Sequence, residues 1–124
     1  MVDPARVVMT GVRDLDGGER VELERAGVGR VRPSELHEVL RGHDVYVHLD
    51  LDVLDPGLFP AQFPAPHGLS DTGLRTLLAE LAGSARIAGV EVTAFDAPAD
   101  DGEREGLTGL VAGIVAPLLP APAR

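Results

Sequence analysis

A chain of 124 residues with no cysteine, no lysine and a formal charge of −9 excludes several function classes at once. There is no thiol to build a disulfide framework, a thiolate metal site or a nucleophile, and an acidic pI near 4.7 makes nucleic acid and anionic membranes poor partners and cations good ones. Apolar residues make up 44% but aromatics only 3%, so the core of this single domain must be built from Leu, Val and Ala.

In chain order, Arg6 to Thr10 reads as a short strand and Gly11-Val12-Arg13-Asp14 opens the loop after it. Glu19 to Ala26 reads as a helix stopped by Gly27, and Val28 to Arg32 as a second short strand. Ser34, just after Pro33, is the expected N-cap of a two-turn helix that buries Leu36, Val39 and Leu40 and ends at Gly42. From Asp55 to Leu69 the chain carries Pro56, Pro60, Pro64 and Pro66, the composition of an irregular loop. Ser70 is the expected N-cap of a helix with Leu74, Leu77, Leu78 and Leu81 on one face. Ile87 to Phe95 reads as a strand weakened by Gly89. A last helix then carries Leu107, Leu110, Val111, Ile114, Val115 and Leu118 and ends at Pro117. Residues 120–124 form a Pro/Ala tail expected to fray. Strands alternate with helices throughout, which predicts an α/β fold with a mainly parallel sheet whose functional edge is the carboxyl end of its strands. No secretory leader and no apolar run long enough to span a bilayer is found, so the cytoplasm is the expected compartment.

The stretch with the most chemistry is Val45-Tyr46-Val47-His48-Leu49-Asp50-Leu51-Asp52-Val53-Leu54-Asp55-Pro56. Its first half suits a buried strand, and its second places Asp50, Asp52 and Asp55 at the strand's exit. On a continuous strand His48, Asp50 and Asp52 share one face, with the two acids about 7 Å apart at their Cα atoms. Unit charges at about 4 Å repel by roughly 4 kcal/mol at an effective dielectric of 20. A shared proton or a divalent cation would offset that repulsion.

Asp50-Leu-Asp52-Val-Leu-Asp55-Pro56, with Pro60, Pro64, Pro66 and Gly68-Leu69 after it, resembles the Asp-x-Asp-x-x-Asp-Pro signature and following loop of the ureohydrolase superfamily, the arginases, agmatinases and formimidoylglutamases. Gly11-Val12-Arg13-Asp14 is similar to that family's Gly-x-Arg strand end. Ala88 to Phe95 and the closing helix resemble its last two elements. The resemblance implies a partial arginase-like, three-layer α/β/α fold in which residues 1–124 are the C-terminal portion of one ureohydrolase-like domain. It implies metal ligation by Asp50 and Asp52, with His48, Asp55 and His67 in the supporting loop and Glu91 on the substrate side. It also implies a pair of manganese ions that activate water against a guanidino or formimino carbon and release urea, since lowering the pKa of bound water makes hydroxide available at neutral pH. Carboxylate oxygens are suitable ligands for such ions.

Other features depart from that pattern. The family's Asp-Ala-His-x-Asp and Gly-Gly-Asp-His segments, which bring its remaining ligands, are absent, and His37, His43 and His67 stand in no such context. Ala94 occupies the position of the glutamate that grips the guanidinium, His48 stands where many members have serine, and His67 replaces the first glycine of a Gly-Gly pair. The chain alone is therefore expected to bind manganese weakly and to be inactive until completed, as a homo-oligomer or by pairing with an N-terminal half. Two alternatives stay open. One is a non-catalytic partner subunit of ureohydrolase descent. The other is a haloacid-dehalogenase-like phosphatase, whose Asp-x-Asp motif would make Asp50 the nucleophile and Asp52 the acid and base; the lack of lysine and the central position of the motif count against it.

Overall fold

A computed structural model describes residues 1–13, 15–57, 59 and 68–120 of the chain. Four strands alternate with four helices: β1 (Val8–Met9), α1 (Gly17–Ala26), β2 (Gly29–Arg30), α2 (Leu36–Val39), β3 (Asp44–Asp50), α3 (Asp71–Ser84), β4 (Arg86–Thr93) and α4 (Asp101–Val115). Both strand pairings are parallel, as the alternation of elements leads one to expect. Among the described residues, however, the strands form two separate pairs, β1 with β2 and β3 with β4, not one continuous sheet.

Local chemistry explains where the helices begin and end. In α1, Asp16 accepts from the Glu19 N–H at 2.8 Å while the Glu19 carboxylate accepts from the Asp16 N–H at 3.1 Å, a reciprocal cap that starts the helix two residues before Glu19. Gly27 closes it with φ +79°, a left-handed conformation that costs glycine nothing. Ser70 caps α3 as expected, its hydroxyl accepting from the Gly73 N–H at 2.9 Å, and Asp100 caps α4 through the Glu103 N–H. Ser34 does not cap α2. Pro33–Glu35 forms a 3-10 turn instead, preceded by Arg32, whose N–H donates to Glu35, and α2 is only Leu36–Val39. Leu36 is buried there and Leu40 packs partly buried against the core, but Val39 is 46% exposed.

The core is one cluster. Leu74, Leu77, Leu78 and Leu81 of α3 meet Leu36, Leu49 of β3, Leu51 and Leu54 just beyond it, Phe59, Ile114 of α4 and Leu118. Fully burying each such side chain contributes roughly 1.5–3 kcal/mol. Partly buried Val47, Ile87 and Val90 join from the same face of the β3–β4 pair. A 3-10 turn at Ala116–Leu118, with Pro117 inside it, ends α4. Along β3 burial alternates, with Asp44, Tyr46, His48 and Asp50 on an exposed face. Opposite Tyr46 stands Gly89, at an irregularity in the pairing, and a Cβ there would lie 2.9 Å from the tyrosine ring. The ring thus covers the glycine from the open side. No helix among the described residues is long and apolar enough to cross a membrane.

Candidate functional site

The two aspartates lie at the carboxyl end of β3, but the strand stops at Asp50. Leu51–Val53 form a 3-10 turn, nucleated by the Asp50 side chain, whose Oδ1 accepts from the Asp52 N–H at 2.8 Å. The strand alternation that aligns His48 with Asp50 therefore does not extend to Asp52, which stands on the turn, half-buried beside an exposed Asp50. The turn is anchored by apolar side chains, since Leu51 and Leu54 are each 1% exposed.

Three further contacts hold this turn. The guanidinium of Arg13, in the loop after β1, donates to the carbonyl of Val53 and to that of Asp52, each at 2.8 Å. The Leu69 N–H donates to the Val53 carbonyl and the Asp55 N–H to the Leu69 carbonyl, both at 2.9 Å, so the chain returning to α3 pairs with the end of the turn. Asp55 accepts from the Gly57 N–H at 2.9 Å and shapes the bend through Pro56. Gly68 passes so close that a Cβ on it would stand 2.4 Å from the Asp55 nitrogen. Phe59 is buried and packs on Phe95 with ring centroids 5.7 Å apart.

His48 and Glu91 meet across the β3–β4 pair, where they are in register. His48 Nδ1 lies 2.6 Å from Glu91 Oε1, and its Nε2 lies 3.4 Å from the Thr93 hydroxyl. An ionised carboxylate only accepts, so Nδ1 carries the proton in this contact. Glu91 is thus already engaged by a neighbour on its own sheet. Thr93 is opposite Asp50, which brings the His48–Glu91–Thr93 cluster to the same edge as the acids. His67 lies outside the described residues, as do Pro60, Gln62, Phe63, Pro64 and Pro66.

Two features at this edge carry signals that residue types and spacing conveyed poorly. Arg13 stands out in the sequence only by its place two residues after Gly11. Its reach across 39 residues to the acidic turn is a tertiary fact. Ala94, directly after β4, has φ +64°, the one non-glycine residue with positive φ among those described. A composition-based reading has no means of seeing that strain.

Asp50 and Asp52 are hard oxygen donors on one short turn, chemistry that suits a divalent cation. Yet among the described residues no group of three or more His, Asp or Glu side chains converges as a cation would need. Among the described residues, Asp50 and Asp52 are the oxygen donors that this turn offers to such a centre.

The arginase-family model matches residues 1–117. Over 97% of its length the chain is 34% identical to an N(omega)-hydroxy-L-arginine amidinohydrolase of Streptomyces lavendulae, covering 45% of that protein. It superposes on arginase from Bacillus caldovelox with a TM-score of 0.77 at 21% identity, covering 99% of this chain and 46% of the other. On the proclavaminate amidino hydrolase of Streptomyces clavuligerus the TM-score is 0.73 at 26% identity, covering 95% and 43%. These likenesses give the α/β architecture its place as part of a three-layer α/β/α fold. The chain spans less than half the length of the relatives it matches.

Proposed function

The chain belongs to the arginase family, and from that premise we propose that it contributes one wall of a binuclear manganese site for hydrolysis of a guanidino C–N bond with release of urea, or of a formimino C–N bond with release of formamide. Asp50 and Asp52 are the residues that would hold the ions, and a bound pair would supply hydroxide at neutral pH. Arg13, Asp55 and the Leu69 pairing fix the turn that carries them. The observation that carries this reading is the 3-10 turn itself: a family signature at the carboxyl edge of a parallel pair, with an exposed Asp50 and a half-buried Asp52 beside buried leucines.

The remaining ligands would come from polypeptide outside residues 1–124, on the same chain, on another copy of it or on a separate chain carrying the other half of the family domain. Parallel sheets are normally covered on both faces. Here one face of the β3–β4 pair is open, with Tyr46 63% exposed, and this supports the existence of a covering partner. The substrate class follows the relatives' names: Nω-hydroxy-L-arginine first, with arginine, agmatine and other guanidino compounds as competitors.

A second reading, a non-catalytic subunit of the same descent, is favoured by one specific contact. Glu91, the acid of β4 nearest this edge, is bonded to His48, and Ala94 after it has no group to offer a guanidinium. The test is release of urea from arginine and agmatine, and of N-hydroxyurea from Nω-hydroxy-L-arginine (together, urea release), with added manganese, by the chain alone and mixed with a polypeptide carrying the amino-terminal half of a family member. Activity in the mixture that disappears in D50N supports the hydrolase. Formation of a stable complex without urea release supports the non-catalytic subunit.

A further inference from the structure

We infer that Arg13 is a positioning residue for the Asp50–Asp52 turn, a fork that sets the main chain from which both carboxylates project. The planar guanidinium presents parallel N–H donors, and two of them meet two consecutive carbonyls, those of Asp52 and Val53, at 2.8 Å. The Val53 oxygen also accepts from the Leu69 N–H, so both its lone-pair directions are used. Neither of these carbonyls takes part in the turn's own bond, which runs from the Leu54 N–H to Leu51. The fork therefore adds restraint where the turn has none of its own.

The sequence is built to let Arg13 reach. Gly11 has φ +68°, and a Cβ on it would stand 2.6 Å from Val53 Cγ2, so the loop after β1 crosses directly over the turn only because this residue is glycine. The two strand pairs share no ladder among the described residues. The Arg13 fork thus joins the carboxyl edge of one pair to that of the other across 39 and 40 residues of chain. A lysine would supply a point charge and could not hold both carbonyls in one plane. Supports of this kind commonly change metal affinity by about 10- to 100-fold when removed.

The clamp stands on geometry alone, while its consequence for a bound cation rests on the function proposed above, so the experiment has two arms. The first is amide hydrogen exchange on the full chain for wild type, R13K and R13A. Exchange at the Asp52 and Leu54 amides should rise by about tenfold in R13A and less in R13K. The amides of Leu78 and Leu81 in α3 should stay unchanged, and guanidinium ion, but not sodium, should partly restore R13A. Unchanged exchange at the turn, or an equal rise throughout the chain, would overturn the positioning role; R13K keeps the comparison available if R13A does not fold. The second arm is manganese binding by the chain mixed with the amino-terminal half of a family member, followed by electron paramagnetic resonance of the free ion. A loss of about tenfold in R13A supports the inference, and equal binding by R13A and wild type contradicts it. A wild-type mixture that takes up no manganese counts against the functional reading, and the clamp is then decided by the exchange arm.

Discussion

Replacing Gly68 by alanine tests how tightly the acidic turn is tied to the returning chain. The new Cβ would lie 2.4 Å from the Asp55 nitrogen, 2.5 Å from the Leu54 carbonyl carbon and 2.6 Å from its oxygen. Ordinary contact begins at about 3.4 Å, and these neighbours are backbone, so no side-chain rotation relieves the clash. The two segments must part by close to 1 Å, which stretches both the Asp55–Leu69 and the Leu69–Val53 hydrogen bonds, now 2.9 Å each, past useful length. Two backbone bonds at about 1 kcal/mol each, plus loosened packing of Leu54, give a loss of about 2–4 kcal/mol. At about 4 °C per kcal/mol for a domain of this size, the melting temperature should fall by about 8–16 °C. Thermal unfolding followed by circular dichroism, with urea titration as a check, measures this directly. A G68A chain melting within about 2 °C of wild type would show that the turn is not held there.

Three other outcomes follow from particular contacts. A94G should raise stability by about 0.5–1 kcal/mol in urea titration, because glycine accepts φ +64° without the Cβ penalty; a loss of stability would mean the methyl group is needed. I114A, at a fully buried position where α4 meets the core, should cost about 2–5 kcal/mol, and a cost below about 1 kcal/mol would mean the helix is not packed as described. The Arg32 and Arg41 partners hold the Glu35 and Glu38 carboxyls below their ordinary value of 4.5, chiefly through hydrogen bonds. Their contribution is therefore complete above about pH 4.5 and is lost as pH falls through the depressed folded values. Carboxyl titration by NMR should show Glu38 returning toward its ordinary value in R41A, since the Arg41 side chain is its main partner; an unmoved titration would break the assignment.

Much of this molecule can be read from its residues because its helices are periodic and capped by side chains. The leucine stripe of α3, its Ser70 cap and the Gly27 stop are local events, encoded within one or two turns. The short elements were not so legible. β1 and β2 are two residues each, narrower than the apolar runs around them, and α2 yields half its length to a 3-10 turn begun by Pro33. At the site, the aspartate signature gave the location but not the shape. Strand alternation placed Asp52 beside Asp50, whereas the Asp50 side chain competes with the ladder, captures the Asp52 N–H and ends the strand. The Arg13 fork, the His48–Glu91 contact and the separation into two strand pairs depend on residues about 40 positions apart, which no local pattern encodes. Family membership displaces the phosphatase alternative, since a match over residues 1–117 embeds the same Asp-x-Asp in a different fold.

The proposed function requires Asp50 and Asp52 to serve a hydrolytic manganese centre whose other ligands lie outside residues 1–124. The most direct measurement is manganese-dependent release of urea from arginine and agmatine, and of N-hydroxyurea from Nω-hydroxy-L-arginine (together, urea release), by the chain mixed with the amino-terminal half of a family member, for wild type, D50N and D52N. The expected result is urea from the wild-type mixture, with a loss of at least about 100-fold in either variant while the complex still forms. Urea release undiminished in D50N and D52N, or none from a complex that demonstrably forms and binds manganese, would contradict it.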